Sequence, residues 1–172
     1  MKTPHFDTVP AFSICARGLC GALVTAVLIG SPTAVLAQGQ TLTGVWAQVI
    51  TPRNCATNEP LPVPPFRALL TFHRDGTVTE SVGSLSFAPG QRSIGHGLWA
   101  HAGGQTFRER TAAMILFDGG PGMYQAGWQV TTRTITMLDA NHYTGSGAAQ
   151  FYDVNRQLYR TGCATSVGER FQ

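Results

Sequence analysis

Charge is scarce in this 172-residue chain: only 12% of the residues are Asp, Glu, Lys or Arg, and Lys2 is the single lysine. A net charge of +3 over this length is too weak for the clustered basic face that nucleic-acid binding requires, so nucleic acid is excluded as a main partner. An apolar fraction of 43% also excludes a disordered chain, because that much apolar surface offsets the entropy lost on folding.

The chain also has no apolar run long enough for a membrane-spanning helix, which needs about 20 residues. Its longest run, 19–30, follows Lys2 and Arg17 and precedes a segment of small residues, which is the layout of a secretory signal peptide. We therefore predict a cleaved signal peptide over residues 1–37 and a single domain over 38–172 without a membrane span. The predicted destination is the periplasm or the extracellular medium.

Cysteine is sparse as well, with four in the chain. Cys15 and Cys20 fall within the predicted signal peptide, which leaves Cys55 and Cys163 in the exported domain. Two cysteines in an oxidising compartment are expected to pair, so we predict one disulfide between them. Two unrelated buried thiols are the alternative.

Helical patterning is missing, because no window of a dozen residues shows an apolar stripe with caps. Period-two alternation, β-branched residues and turn signals such as Asp75-Gly76 instead predict eight strands. These strands cover 41–50, 66–73, 78–82, 94–101, 106–117, 127–138, 142–152 and 157–167. Eight strands joined by short turns predict an all-β, antiparallel up-and-down barrel, in which closure removes the edge strands, and a β-sandwich is the alternative.

The cysteines also set an expected register between the first and last strands. If Cys55 and Cys163 face each other, Trp46 lies two positions from Arg170 across the two strands. Pro52 is expected to end the first strand, since proline cannot donate to the ladder. We therefore expect Trp46 and the last residues of the chain to meet at one end of the barrel.

The first strand begins with Thr43-Gly44-Val45-Trp46, which resembles the Gly-x-Trp signature of the lipocalins and their calycin relatives. Three further segments, 72–77, 95–99 and 159–163, are similar to segments of small exported bacterial proteins with a lipocalin-like barrel. The resemblance implies that Trp46 closes one barrel end and that an Arg near the end of the barrel packs across it. The residues at the matching positions are Gly44, Trp46 and Arg170. It also implies a barrel mouth able to hold an apolar small molecule, with no cofactor and no catalytic residue.

Patterns for catalysis or metal binding are missing from the sequence. His96 and His101 are five residues apart, so on a regular strand they point to opposite faces and cannot share a metal ion without a bulge. Ser146 lies between two glycines but lacks the strand-to-helix setting of a nucleophile elbow. Glu109 lies between two arginines and faces away from both, so those arginines share a face, where we expect them to be solvated or paired with carboxylates. We predict no metal site, no cofactor and no catalytic residue.

The interior is where a function would lie, because an eight-stranded barrel is either filled by side chains or open to one small ligand. Small residues such as those at 145 and 147–149 leave room beside large aromatics, which favours a partly open apolar pocket. The predicted inward, ligand-binding residues are Phe72, Trp99, Trp128, Tyr143 and Phe151. We therefore predict a protein that binds a small apolar molecule without catalysis.

Two alternatives come from other functional classes. A small barrel isomerase or cyclase acting on a lipid-like substrate would use His96 or Tyr143 for proton transfer, and it would need a buried titratable group in its cavity. A packed module that recognises another protein through its loops would have no internal cavity.

Overall fold

The computed structural model describes residues 41–84 and 86–171, in which the chain forms eight strands. They are β1 Gly44–Arg53, β2 Phe66–Phe72, β3 Thr77–Gly83, β4 Gly95–Gly103, β5 Thr106–Asp118, β6 Tyr124–Met137, β7 His142–Tyr152 and β8 Leu158–Arg170. Each predicted strand has a counterpart whose ends differ by at most three residues. The predicted signal peptide lies outside the described residues.

The eight strands form one closed sheet. Each strand pairs antiparallel with its neighbours in chain order, and β1 pairs antiparallel with β8. The predicted up-and-down barrel is confirmed, and the sandwich alternative is wrong. Side chains alternate between the interior and the outer face, so Trp46, Gln48 and Ile50 of β1 are buried while Val45 is exposed. Across the described ranges, no helix is both long and apolar enough to span a membrane.

The first strand does not end at Pro52 as predicted; it continues to Arg53. Beyond Ile50 its partner strand is β8, where Pro52 lies opposite Ala164, and Arg53 also forms an isolated bridge with Pro60. The Pro52 carbonyl points to the other side and accepts a hydrogen bond from the Leu61 N–H at 3.0 Å. Because the N–H and C=O of one residue leave an antiparallel strand on the same side, the missing N–H of proline removes no bond to β8.

The register between β1 and β8 differs from the expected one. Trp46 lies directly opposite Arg170, and Arg53 lies opposite Cys163. The two-residue difference arises because Cys55 lies beyond the end of β1 and reaches Cys163 from outside the ladder. The expectation that Trp46 meets the last strand's final residues at one end of the barrel is confirmed.

That end, where β1 begins and β8 ends, is packed solid around Trp46, and we call it the closed end. The indole Nε1 of Trp46 donates to the Leu42 carbonyl at 2.8 Å, and its ring centroid lies 5.0 Å from that of Tyr143. The guanidinium carbon of Arg170 lies 4.3 Å from the indole centroid, a cation–π contact. Other buried members of this core are Leu70, Phe72, Val78, Phe107, Ile135 and Met137.

Arg170 also ties the strand ends together. Its Nε, Nη1 and Nη2 atoms donate to the carbonyls of Ala140, Thr43 and Thr41 at 2.8 to 2.9 Å. Gly44 leaves room for the Arg170 guanidinium, because a Cβ at this position would lie 2.6 Å from Arg170 Nη1. Its φ of +131° is also a backbone conformation that favours glycine. The three residues singled out from the lipocalin resemblance therefore form one contact group.

Replacing Arg170 with Ala is expected to lower the free energy of unfolding by on the order of 2 kcal/mol, because three charge-assisted hydrogen bonds and the cover of the indole are lost. Urea unfolding followed by tryptophan fluorescence measures the change. Arg110→Ala, on the exposed face of β5, is the matched control and should change stability by less than about 0.5 kcal/mol. Equal effects of the two substitutions would contradict this role for Arg170.

The predicted disulfide is confirmed at the opposite end of the barrel. Cys55 and Cys163 are bonded, with their Cα atoms 5.1 Å apart and 108 residues between them in sequence. The bond links the turn after β1 to the early part of β8, so it fixes the start of the β1–β2 connection to the barrel rim.

Removing the disulfide with the paired substitution Cys55→Ala and Cys163→Ala should lower the free energy of unfolding by on the order of 4 kcal/mol, since a loop of this length is no longer closed in the unfolded chain. Urea denaturation of the variant and of the oxidised wild type measures the difference. Wild type treated with a reductant should match the variant, and an unchanged urea midpoint would contradict the expectation.

Candidate functional site

The end of the barrel that carries the disulfide, which we call the open end, contains a cavity of about 390 Å³. This volume falls within the range of about 300–1,000 Å³ that small-molecule pockets occupy. Its walls are inward side chains of β1, β2, β3, β6, β7 and β8, together with residues from the connections after β1 and β3. The apolar lining residues include Ile50, Pro52, Leu61, Val63, Phe66, Val82, Phe87, Ala149, Phe151 and Ala164.

The cavity exists because small residues line one side of it. Gly147 and Ala149 lie on the inner face of β7, and Gly162 and Ala164 continue the lining on β8. A Cβ on Gly162 would meet no atom within 4 Å, so β8 borders open space at this point. Some of the small residues noted in the sequence therefore do lie beside the cavity.

Four buried charged residues, which we call the ionic cluster, form the floor of the cavity and its immediate support: Glu80, Arg92, Glu109 and Arg133. Arg133 Nη2 donates to Glu80 Oε1 at 2.7 Å and to Glu109 Oε1 at 2.6 Å. Arg92 Nη2 donates to Glu80 Oε2 at 2.8 Å, and its Nε donates to Gln129 Oε1 at 2.5 Å. The two guanidinium groups and two carboxylates balance in charge, which is the condition under which buried ions are tolerated.

Glycines make room for this cluster. A Cβ on Gly147 would lie 2.7 Å from Arg133 Cγ, and a Cβ on Gly95 would lie 3.2 Å from Glu80 Oε2. The Arg133 side chain therefore crosses the inner face of β7 where no neighbouring side chain stands. Part of the space expected beside the small residues is occupied by the ionic cluster.

Burial and charge shift the pKa values in the cluster in opposite directions. Burial raises the pKa of the Glu109 carboxyl above its ordinary value, and the Arg133 charge offsets this only in part. Burial lowers the pKa of Arg133, but the carboxylates of Glu109 and Glu80 outweigh it and raise that pKa above its ordinary value. Arg133 is therefore a permanent cation, and Glu109 takes up its proton at higher pH than an ordinary carboxyl does.

Several buried polar atoms have no hydrogen-bond partner within residues 41–84 and 86–171. They are Gln48 Nε2, Glu109 Oε2, Thr111 Oγ1, Arg133 Nε and Ser166 Oγ. Two of these residues, Arg133 and Ser166, line the cavity. A buried polar group without a partner is unfavourable by about 1–3 kcal/mol, so these two atoms mark where a bound molecule could be recognised.

The predicted ligand-binding residues are distributed over three places. Phe151 lines the cavity, and the guanidinium carbon of Arg160 lies 4.1 Å from its ring centroid. Phe72, Trp99 and Tyr143 face inward but belong to the closed end, where the Phe72 and Trp99 rings pack edge to face at 5.9 Å.

Trp128 is on the outer face of β6 with 42% of its surface exposed, so the prediction that it points inward is wrong. Inward positions of β6 are occupied by Gln129, Thr131 and Arg133, and strand alternation then places Trp128 outside. Its cross-strand neighbour on β5 is Met114, which is also exposed. Aromatic character does not decide where Trp128 points. Arg133 is buried on the inner face of β6, and Trp128 lies an odd number of residues from it, so Trp128 points outward.

The two proton-transfer residues of the enzyme alternative do not lie in the cavity. His96 is exposed on the outer face of β4, opposite in direction to the buried Gly95. Tyr143 is buried at the closed end, where its hydroxyl donates to Gln48 Oε1 at 3.0 Å. Burial raises the pKa of Tyr143 more than the Arg133 charge lowers it, so its hydroxyl keeps its proton.

The ionic cluster was not identified in the sequence, although a signal for it exists. Arg133 shares strand parity with Ile135 and Met137, and Glu80 shares parity with Val78 and Val82. Charged residues on an otherwise apolar face of a strand predict buried ion pairs. The prediction that Glu109 faces away from its two flanking arginines is confirmed, since it is buried and they are exposed.

Comparisons with protein-family models, with curated proteins and with solved structures found no match. In the part of the chain that the structure describes, no group of three or more His, Cys, Asp or Glu side chains could hold a metal ion. The cavity and its ionic floor are therefore the features from which a function is argued.

Replacing Arg133 with Met should lower the free energy of unfolding by about 3–5 kcal/mol, because Glu80 and Glu109 lose the cation they share while remaining buried. Thermal and urea unfolding measure the loss. The double variant Arg133→Met with Glu109→Gln should recover part of the stability, since one uncompensated charge is then removed. A double variant as unstable as the single one would contradict the ion-pair account.

The raised pKa of Glu109 predicts a pH dependence. The unfolded chain releases this proton near the ordinary pKa of 4.5 and the folded protein at higher pH, so between the two the folded state binds more protons and stability falls as pH rises. We expect the unfolding free energy of the wild type, measured from pH 4 upward, to fall relative to that of Glu109→Gln as the pH rises. A difference that is constant or grows in favour of the wild type would contradict the shift.

Proposed function

We propose that this protein binds a small apolar molecule in the cavity at the open end of its barrel. The observation that carries the proposal is a cavity of about 390 Å³ inside a closed barrel, with mostly apolar walls and a few polar groups at its floor. This composition is typical of small-molecule sites, in which apolar contacts supply affinity and a few polar groups supply orientation. A packed interaction module would have filled this volume with side chains.

The rim of the cavity is suited to admit an apolar molecule. Leu61 and Val63, in the proline-rich connection after β1, line the cavity and are partly exposed to solvent. Phe87, in the connection after β3, also lines the cavity and packs against Phe151 with ring centroids 6.3 Å apart. The disulfide fixes the start of the first connection, so one side of the rim is held in place.

We also infer that the protein is lipocalin-like. Support comes from the closed end, where Gly44 leaves space for Arg170 and Arg170 lies over Trp46. The position of these three residues at the first and last strands of a closed eight-stranded barrel is what the resemblance implied.

Export to the periplasm or the extracellular medium remains part of the proposal. The Cys55–Cys163 disulfide supports it, because such bonds persist in oxidising compartments and are rare in the cytosol. In that setting, a protein that binds an apolar molecule would keep the molecule dissolved in an aqueous compartment.

Filling the cavity should abolish binding without unfolding the protein. Gly162→Phe places a phenyl ring in open space next to β8, and phenylalanine suits a strand better than glycine does. We expect the affinity for the neutral apolar dye N-phenyl-1-naphthylamine to fall by at least about tenfold, which corresponds to about 1.4 kcal/mol. Fluorescence titration measures the affinity.

Ala100→Phe, on the exposed outer face of β4, is the matched control and should bind the dye like the wild type. Native mass spectrometry of the protein from its natural compartment, before and after denaturation, tests for a released small molecule. A wild type that neither binds the dye nor releases a molecule would overturn the proposed function.

A further inference from the structure

The floor of the cavity has a feature that apolar binding does not use: two hydrogen-bond donors without an acceptor among the described residues. Ser166 is 6% exposed and Arg133 is 7% exposed, and both line the cavity. The Ser166 hydroxyl and the Arg133 Nε–H both lack partners, while Arg133 Nη2 is fully used by the two carboxylates. The Arg133 Nε–H can only donate, so an acceptor atom of a bound molecule would satisfy it.

The two donors lie at inward positions of the two strands that flank β7. Arg133 of β6 lies opposite Gly147 of β7, and Ser166 of β8 lies opposite Gly145 of β7. Gly145 and Gly147 are two residues apart on one face of the strand, and neither carries a side chain that could separate the donors. A Cβ on Gly145 would lie 2.6 Å from Ser166 Oγ, so glycine at this position makes room for the hydroxyl.

The charge at the floor is already balanced. Arg133 and Arg92 are matched by Glu80 and Glu109, and both Glu80 oxygens are held by guanidinium groups. An additional full charge at this depth would have no counter-ion within the described residues and would retain its desolvation cost. A neutral acceptor would satisfy the donors without disturbing the ion pairs.

We propose that Arg133 and Ser166, which line the cavity floor beside Gly147 and Gly145, form a polar subsite that receives an uncharged acceptor oxygen of the ligand, a ketone, aldehyde or ester carbonyl. The ligand then enters with its polar end first and leaves its hydrocarbon part against Ile50, Phe66 and Phe151. This inference rests on the proposed function and assigns the chemical class of the bound molecule.

The test compares Ser166→Ala with Ser146→Ala, a matched loss of a hydroxyl on the exposed face of β7. Each variant is titrated with N-phenyl-1-naphthylamine, and the dye is then displaced with 2-decanone and with decanoate. Because the Ser166 hydroxyl makes no hydrogen bond within the protein, its removal should leave the thermal midpoint unchanged or raised. Thermal unfolding of each variant checks this.

We expect Ser166→Ala to weaken 2-decanone binding by about five- to tenfold more than it weakens dye binding, the value of one hydrogen bond to the ketone oxygen. Ser146→Ala should change neither. Dye binding with a ketone affinity that Ser166→Ala does not alter would overturn the subsite and leave the proposed function standing. Tighter binding of decanoate than of 2-decanone would overturn the uncharged class. Binding of neither dye nor ketone by the wild type would overturn the subsite and the function together.

Discussion

A guanidinium group inside an apolar barrel must recover in ion pairs the hydration that it loses, and Arg133 does so between Glu80 and Glu109. The three residues come from β6, β3 and β5, so the ion pairs form only when these strands have closed around them. The same cluster determines where the core ends. On β6, Ile135 and Met137 continue from Arg133 into the closed end, whereas residues 129–131 lead into the cavity.

Glycine has three separate structural roles on the inner surface. Gly147 makes room for the Arg133 side chain, while Gly168 makes room for the Tyr143 ring, where a Cβ would lie 2.1 Å from the ring carbon Cζ. Gly162 faces open space and leaves the cavity wide. Similar small residues therefore serve a buried charge, a buried aromatic ring and a binding space, and composition alone does not distinguish these roles.

Strand order, closure and the disulfide could be predicted because alternation and cysteine number are local or countable properties of the sequence. The direction of Trp128 could not be predicted from its hydrophobicity, since the inward face of β6 is fixed by the ion pairs of Arg133 with residues more than twenty positions away. The register of β1 against β8 could be predicted only to within two residues. The prediction took Cys55 as part of the ladder, whereas Cys55 lies outside it. Side-chain placement across several strands is thus the part that sequence patterns do not contain.

The seam between β1 and β8 has a consequence for biosynthesis. Trp46 lies in β1, which is translated first, and its partner Arg170 is the last residue of β8, which is translated after the other seven strands. The barrel can therefore close only after all eight strands have been made, and contacts between such distant segments form slowly. Until the seam forms, β1 and β8 are both open edges on which another chain could add. A newly made molecule thus passes through an interval in which protection from aggregation must come from outside the chain.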